Sequence, residues 1–277
     1  MVKKMRQGVE ISERRACGLI GVARTTARRV VGETAVNEAL QVRMVDLAHA
    51  RRRFGYRRIH DLLRREGVVA NHKRVYRLYR EANLSVRKRR RRKLVMLDRP
   101  VLQAPAGPNE VWSIDFVMDA LANGKRIKCL TVVDDFTREC LDIAVDFGIS
   151  GEYVAHVLER IGQFRGLPKA IRTDQGPEFT SRALDRWAYG LGIHLKLIAA
   201  GKPTQNAYIE SFNGKFRDEC LNDHYFNNLA HARAVIGDWR RDYNETRPHS
   251  SLGRIPPAEF ALRHRLRAGD GQTREIV

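Results

Sequence analysis

Three acidic side chains stand at positions suited to binding divalent metal ions. Asp115 lies in the apolar run Trp-Ser-Ile-Asp-Phe-Val, Asp174 ends the run Ala-Ile-Arg-Thr-Asp, and Glu210 follows a loop-like stretch at the start of a helical segment. Enzymes that cut and join phosphodiesters with two metal ions need carboxylates from distant positions. One ion activates the attacking oxygen and the other stabilises the leaving oxygen. The three acids are therefore candidates for a phosphoryl-transfer site.

Each acid also has a purely structural explanation. Asp115 would be a buried carboxylate satisfied by backbone donors, since burial is costly without such partners. Asp174 precedes Gly176 and would close an Asx-turn. Glu210 belongs to a polar stripe on its helix, which is typical of a solvated face but would equally line a DNA groove. The members of this stripe are Asn206, Glu210, Asn213, Gly214 and Arg217.

The spacing of the last two acids favours a common site. Between Asp174 and Glu210 lie 35 residues, which read as one helix, one strand and a loop. This is about the number of residues that a chain needs to leave the end of a strand and return to the same edge of the sheet. In α/β sheets ligands bind at the carboxyl ends of the strands, so the two acids are expected to lie at one ligand site.

The segments around these acids predict the fold that positions them. Three β-rich runs separated by turns indicate an antiparallel meander, and alternating helices and strands follow. The order predicts a ribonuclease-H-like α/β core, a mixed five-stranded sheet flanked by helices. The strand runs are EVWSIDFVM, RIKCLTVVDDF, CLDIAVDF, AIRTD and HLKLIAA, and the helical runs are GEYVAHVLERIGQF, FTSRALDRWAYGLG and AYIESFNGKFRDECL.

The amino-terminal part of the chain is strongly basic. Residues 1–107 carry 28 Lys and Arg against 9 Asp and Glu, whereas residues 108–277 carry 23 of each. A basic region of this size favours a polyanionic partner through release of counterions from phosphates. The other explanation of this positive charge is a well-solvated surface with no polyanionic partner.

Two helix pairs are predicted in this basic region, so the core is preceded by an all-α helix-turn-helix region. In residues 10–31 Ser12 is a candidate cap and Gly18 or Gly21 a break, which outlines a short helix-turn-helix. Farther on, Asn71 is a candidate cap for the second helix of a stronger pair. The inward residues of that pair are Ile59, Leu62, Leu63, Val75, Leu78 and Tyr79, and the outward cations, which would reach DNA or form a solvated face, are Lys73, Arg74, Arg77 and Arg80.

The chain is thus expected to have five parts. They are a helix-turn-helix-like segment (1–34), a helical DNA-binding subdomain (35–86), a basic and proline-containing linker (87–107), the catalytic core (108–262) and a polar tail (263–277). The four cysteines form no C-x-x-C pair, which argues against a zinc knuckle. Because no apolar leader or 18-residue apolar stretch is present, a cytoplasmic protein is expected.

Six segments, taken in order, resemble a known family. They are WSIDFV, TVVDDFTREC, RTDQGPEF, GKPTQNAYIESFNGKFRDEC, YNETRPHSSLG and PPAEF. The chain resembles, over roughly residues 45–262, the OrfB-type transposases of the insertion-sequence-three family, which have a retroviral-integrase-like catalytic core with two Asp and one Glu.

The resemblance implies specific roles. It implies that Asp115, Asp174 and Glu210 bind Mg²⁺, with Mn²⁺ as a substitute, and that the neighbouring acids Asp134 and Asp135 belong to a turn. It also implies that Arg217 contacts DNA phosphate. Further DNA-contact candidates around Glu210 are Lys202, Asn206 and Lys215.

The resemblance also implies partners and an activity. Double-stranded DNA, both element ends and target, would be the substrate, a homo-oligomer would assemble on it near the bacterial nucleoid, and an upstream-frame (OrfA-type) protein is a candidate partner. Two other functions remain open: a nuclease of the ribonuclease H type, and a DNA-binding regulator or inactive remnant.

Overall fold

The computed structural model describes residues 11–28, 34–86, 104–198 and 206–272. Two predictions lie outside these ranges and stay predictions. They are the basic part of the linker, from Arg87 to Lys93, and the DNA contact of Lys202.

The amino-terminal region is helical, as the sequence predicts. Its helices are α1 (Glu13–Ile20), α2 (Arg24–Arg28), α3 (Thr34–Ala50), α4 (Tyr56–Arg65) and α5 (His72–Glu81). The Oγ of Ser12 accepts from the Arg15 amide, and Asn71 accepts from the Lys73 amide, so both predicted caps form. Gly21 ends α1 in the left-handed conformation, at φ 68°.

One apolar cluster holds α3, α4 and α5 together. All six inward residues predicted for α4 and α5 are buried in it, and Met44 of α3 joins them. Burial of this apolar surface stabilises the three helices more than helix propensity does, because short helices are only marginally stable alone.

The second half of the described chain is built around one five-stranded mixed sheet. Its strands are β1 (Val111–Ala120), β2 (Arg126–Asp134), β3 (Cys140–Asp146), β4 (Ala170–Thr173) and β5 (His194–Leu197), in the spatial order β3-β2-β1-β4-β5. The first three strands pair antiparallel. β4 pairs parallel with β1, and β5 pairs parallel with β4. The predicted meander and the predicted ribonuclease-H-like core are confirmed.

Helices cover both faces of this sheet. On one face lie α6 (Gly151–Arg165) and α7 (Arg182–Gly190), and on the other lie α8 (Ala207–Glu219) and α9 (Leu229–Glu245). The last helix, α10 (Pro257–Gln272), packs against α9. One apolar cluster lies between the sheet and α6 and α7, and another between the sheet and α8 and α9. The helix α9 was not predicted from the sequence, and α10 extends into the expected polar tail. In the described residues we find no helix of the length and apolarity required to cross a bilayer.

Ion pairs join the helical region to the sheet region. Each pairs a side chain of α4, or of the turn before α4, with one from α8, α9, α10 or the turn before α10. They are Arg51–Asp242 (2.6 Å), Arg58–Glu219 (3.2 Å), Arg65–Glu259 (2.6 Å) and Arg254–Asp61 (3.2 Å). The polar character of these contacts makes the junction sensitive to salt.

Candidate active site

Asp115 lies in the middle of the central strand β1 and faces α8. Its Oδ1 accepts from the Phe116 amide at 2.7 Å, and its Oδ2 accepts from Nδ2 of Asn213 at 2.8 Å. Thr131, its cross-strand partner on β2, donates its hydroxyl to the Asp115 carbonyl and lies 3.0 Å from Oδ1 of Asn213. The carboxylate is therefore half-buried and held in one orientation by groups from two neighbouring elements.

Asp174 follows β4 directly and is exposed. Its Oδ1 accepts from the Gly176 amide at 3.0 Å, so the Asx-turn anticipated from the sequence does form. A Cβ at Gly176 would lie 3.2 Å from that oxygen, which explains why glycine suits the position. The turn and an exposed carboxylate coexist, because the turn engages only one carboxylate oxygen.

Glu210 lies in the first turn of α8 and is exposed. The helix is fixed beneath it by Ile209, Phe212 and Phe216, which are at most 1% exposed in the apolar cluster under the sheet. These three side chains occupy the opposite side of α8, so burial of the apolar face directs Glu210 outward. The polar stripe predicted around Glu210 is thus anchored by packing.

The three acids influence one another electrostatically. Burial raises the pKa of Asp115 to about 6; the Phe116 amide and Asn213 oppose the shift, while the negative charges of Asp174 and Glu210 add to it. As placed, no three acidic, His or Cys side chains of the described chain are close enough to hold one metal ion together. The donor set nevertheless fits a hard divalent cation, since all three are carboxylates and their repulsion is what a cation offsets.

The other candidates near Glu210 divide between two sides of α8. Arg217 is exposed on the Glu210 side and donates from Nη2 to the Met118 carbonyl at the end of β1. Asn206 is 6% exposed, and its buried Oδ1 has no hydrogen-bond partner within the described ranges. Lys215 is half-buried on a different face. The structure thus places Arg217 on the same side of α8 as Glu210, about two turns farther along, and places Lys215 on another side.

The cations predicted on α5 are not equivalent. Lys73, Arg77 and Arg80 are exposed, whereas Arg74 donates from Nε to Oδ1 of Asn37 on α3 at 2.7 Å. Three of the four candidates are therefore presented to solvent, and the fourth also ties α5 to α3.

Asp134 and Asp135, the acids that the resemblance assigns to a turn, have structural contacts that account for them. Both Asp134 and Asp135 are fully buried. Asp134 accepts from the amides of Asn109, Phe136 and Thr137, which shapes the turn after β2. Asp135 accepts from Arg172 at 2.6 Å in a buried ion pair.

The loop after Asp174 is stabilised by a contact that was not predicted from the sequence. Glu178 in that loop pairs with Lys128 of β2, and the Lys128 ammonium lies 3.8 Å from the centre of the Phe116 ring. Phe116 in turn stacks on Phe179 with ring centres 4.7 Å apart. No local pattern reveals this contact, because Lys128 and Glu178 lie 50 residues apart.

Comparisons with known proteins agree with this architecture. Integrase core domain profiles match residues 105–203 and 191–257, and an HTH-like domain profile matches residues 35–93. The 31.7 kDa protein of insertion element IS407 from Burkholderia multivorans is 67% identical over 264 residues, 95% of each chain. The transposase of insertion sequence element IS904 from Lactococcus lactis is 28% identical over 222 residues, 75% of this chain and 87% of its own.

A solved structure shows the same fold. A chain of the simian T-cell lymphotropic virus intasome, solved with PP2A regulatory subunit B56 gamma, aligns with a TM-score of 0.50 at 15% identity. The alignment covers 69% of the present chain and 67% of the viral one.

Proposed function

Since this chain belongs to the insertion-sequence-three family of insertion-element proteins with an integrase core, we propose that it is a transposase that cleaves element ends and joins them to target DNA. The observation that carries this proposal is that Asp115 is held by Asn213 on the side of β1 that faces α8, where burial raises its pKa and the negative charges of Asp174 and Glu210 add to the shift. The transposase name of the IS904 relative supports the same activity.

Asp115, Asp174 and Glu210 would hold Mg²⁺ or Mn²⁺. When bound, the ions lower the pKa of a coordinated water and neutralise charge on the phosphate. Asn213 and Thr131 keep Asp115 in its orientation. Arg217, seven residues beyond Glu210 on the same side of α8, binds a phosphate beside the scissile bond. Water attacks the phosphodiester at the element end and breaks its P–O3′ bond, which frees a 3′ hydroxyl on the element. That hydroxyl then attacks a target phosphodiester in line and displaces the 3′ oxygen of the target strand, with no covalent protein intermediate.

The proposed reaction carries further expectations. Two element ends must be cut in one complex, so a homo-oligomer on DNA is expected, with an OrfA-type protein as a candidate partner. The substrate, chromosomal DNA, places the reaction at the nucleoid in the cytoplasm.

The proposal is tested with a labelled duplex that carries the element's terminal repeat. We expect the full chain with Mg²⁺ or Mn²⁺ to nick the duplex at the repeat end and to join the 3′ end to a second duplex. Nicking of RNA–DNA hybrids without joining would favour a nuclease of the ribonuclease H type. Tight binding with neither reaction would favour a DNA-binding regulator.

Asn213 is expected to act through Asp115. We expect Asn213→Ala to weaken Mn²⁺ binding and to slow cleavage by about 10–100-fold, the usual effect of losing a partner that orients a metal ligand. Calorimetric Mn²⁺ titration and single-turnover cleavage measure the two effects. Asn222→Ala, at an exposed position beyond α8, is the matched control. Unchanged Mn²⁺ affinity in Asn213→Ala would contradict the orienting role.

The exposed cations of α5 are expected to bind DNA. Replacing Lys73, Arg77 and Arg80 together with Ala should reduce the slope of log affinity against log salt by about 0.9 for each DNA phosphate that these side chains neutralise. The measurement is fluorescence anisotropy of the terminal duplex in EDTA at several salt concentrations. Arg186→Ala, which removes an exposed cation from α7, should leave the slope unchanged. A wild-type slope in the triple variant would exclude α5 as a DNA-contact helix.

A further inference from the structure

Four cationic side chains from separate parts of the chain meet on the side of α8 that faces away from Glu210. They are Arg58 of α4, Arg138 of the β2–β3 turn, Lys215 of α8 and Arg247 after α9, and all four act electrostatically on His249. At about 100° per residue, Lys215 lies about 140° around α8 from Glu210. This group, which we call the basic joint, is therefore separate from the carboxylate site.

The basic joint has too little negative charge. Glu219 accepts from Nε and Nη2 of Arg247 at 2.7 and 2.6 Å, and from Arg58 at 3.2 Å. Among the described groups Lys215 has a hydrogen bond only with the hydroxyl of Ser211, at 3.1 Å. Arg138 lies 3.6 Å over the Tyr208 ring, and its buried Nη1 has no hydrogen-bond partner within the described ranges. Among the described residues, Glu219 is thus the one carboxylate that is hydrogen-bonded to any of these four cations. Asp135 also attracts Arg138, but it is paired with Arg172.

The basic joint has a buried floor and an accessible rim. Arg247 and His249 are 2% and 5% exposed, whereas Lys215 and Arg138 are only half-buried. Burial, and then the charge of Arg247, lower the pKa of Lys215 to about 8 and that of His249 to about 2. His249 is therefore neutral. After burial, the neighbouring cations are the main cause of both shifts, and at Lys215 Glu219 offsets them only in part. An anion at the rim would relieve this repulsion.

We propose that the basic joint binds a backbone phosphate of the DNA substrate, through Lys215 and Arg138 at its rim. This inference rests on the proposed function, which brings DNA to the protein. The joint combines Arg58 from the helical region with Lys215 from the helix of Glu210, so it lies between the two parts of the chain assigned to DNA. Lysine and arginine donors suit the anionic oxygens of a phosphodiester. Free phosphate shares this chemistry, so the test separates the two sources.

The first experiment measures DNA binding in EDTA, so that cleavage plays no part. Lys215→Gln and Arg138→Gln should each reduce the slope of log affinity against log salt by about 0.9. Lys169→Gln is the control, because Lys169 is 79% exposed at the amino end of β4, opposite Asp174. If both joint variants keep the wild-type slope while the wild type binds and cleaves DNA, this proposal fails and the proposed function stands. If the wild type binds no DNA, both this proposal and the proposed function fail.

The second experiment measures the melting temperature without DNA. Lys215→Gln should raise it by about 2 °C or more, because it removes one of four repelling cations. Orthophosphate should stabilise the wild type more than chloride at equal ionic strength, and should not do so in Lys215→Gln. A lower melting temperature in Lys215→Gln would contradict the repulsion on which the proposal depends. Stabilisation by orthophosphate with an unchanged DNA slope would assign the joint to free phosphate and overturn the DNA assignment.

Discussion

Asp174→Asn and Glu210→Gln are expected to abolish Mg²⁺-dependent cleavage and joining while leaving DNA affinity unchanged. Each amide keeps the shape of its side chain but removes the negative charge that a divalent cation needs. Loss of a partner that only orients a metal ligand costs about 10–100-fold, so loss of a ligand should cost on the order of 10³-fold or more. Single-turnover cleavage of the labelled terminal duplex measures the effect.

Asp218→Asn is the matched control for these two variants. Asp218 is an exposed acid on the same helix as Glu210, so its replacement removes one charge from α8 without touching the proposed site. Asp174 and Glu210 are both exposed, so neither replacement should reduce stability, and a native circular dichroism spectrum should accompany the loss of activity. Cleavage at the wild-type rate by either variant would exclude that acid as a metal ligand.

Local patterns were sufficient to predict much of the fold. The capping residues Ser12 and Asn71 and the apolar faces of α4 and α5 follow from chemistry within a few residues, and the structure confirms them. The alternation of strand and helix runs likewise predicts the sheet on which Asp115 and Asp174 lie. The spacing of Asp174 and Glu210 predicts that the chain returns to one edge, because only one helix and one strand can intervene.

Contacts between distant parts of the chain could not be predicted in this way. The apolar positions of α9 that are buried, Ala232, Ile236 and Tyr243, are few and are separated by charged residues, so the pattern is weak until packing selects it. Arg58 and Glu219 lie 161 residues apart, and nothing local to either residue indicates the other. The ion pair of Lys128 and Glu178, which stabilises the loop after Asp174, likewise joins residues that no local pattern connects.

Glu219→Ala is expected to destabilise the folded protein strongly. Glu219 is the carboxylate that accepts from both Arg247 and Arg58, and the Arg247 side chain is 3% exposed. Removing one member of a buried ion pair leaves the other charge without compensation, which typically costs about 3–5 kcal/mol. For a chain of this size the melting temperature should fall by on the order of 10 °C. Thermal and urea unfolding followed by circular dichroism measure both quantities.

Glu245→Ala, at an exposed acidic position of α9, should change the melting temperature little and serves as the control. A decrease of less than about 1 kcal/mol in the unfolding free energy of Glu219→Ala would mean that water already screens the pair, as it does for surface ion pairs. The melting temperature is expected to fall in Glu219→Ala and to rise in Lys215→Gln, although both residues lie in the same cluster on α8. Removing the carboxylate leaves Arg58 and Arg247 without their hydrogen-bonded partner, whereas removing the Lys215 cation relieves the repulsion among the four cations. A fall in stability for Glu219→Ala and a rise for Lys215→Gln would therefore identify uncompensated positive charge as the property of this junction.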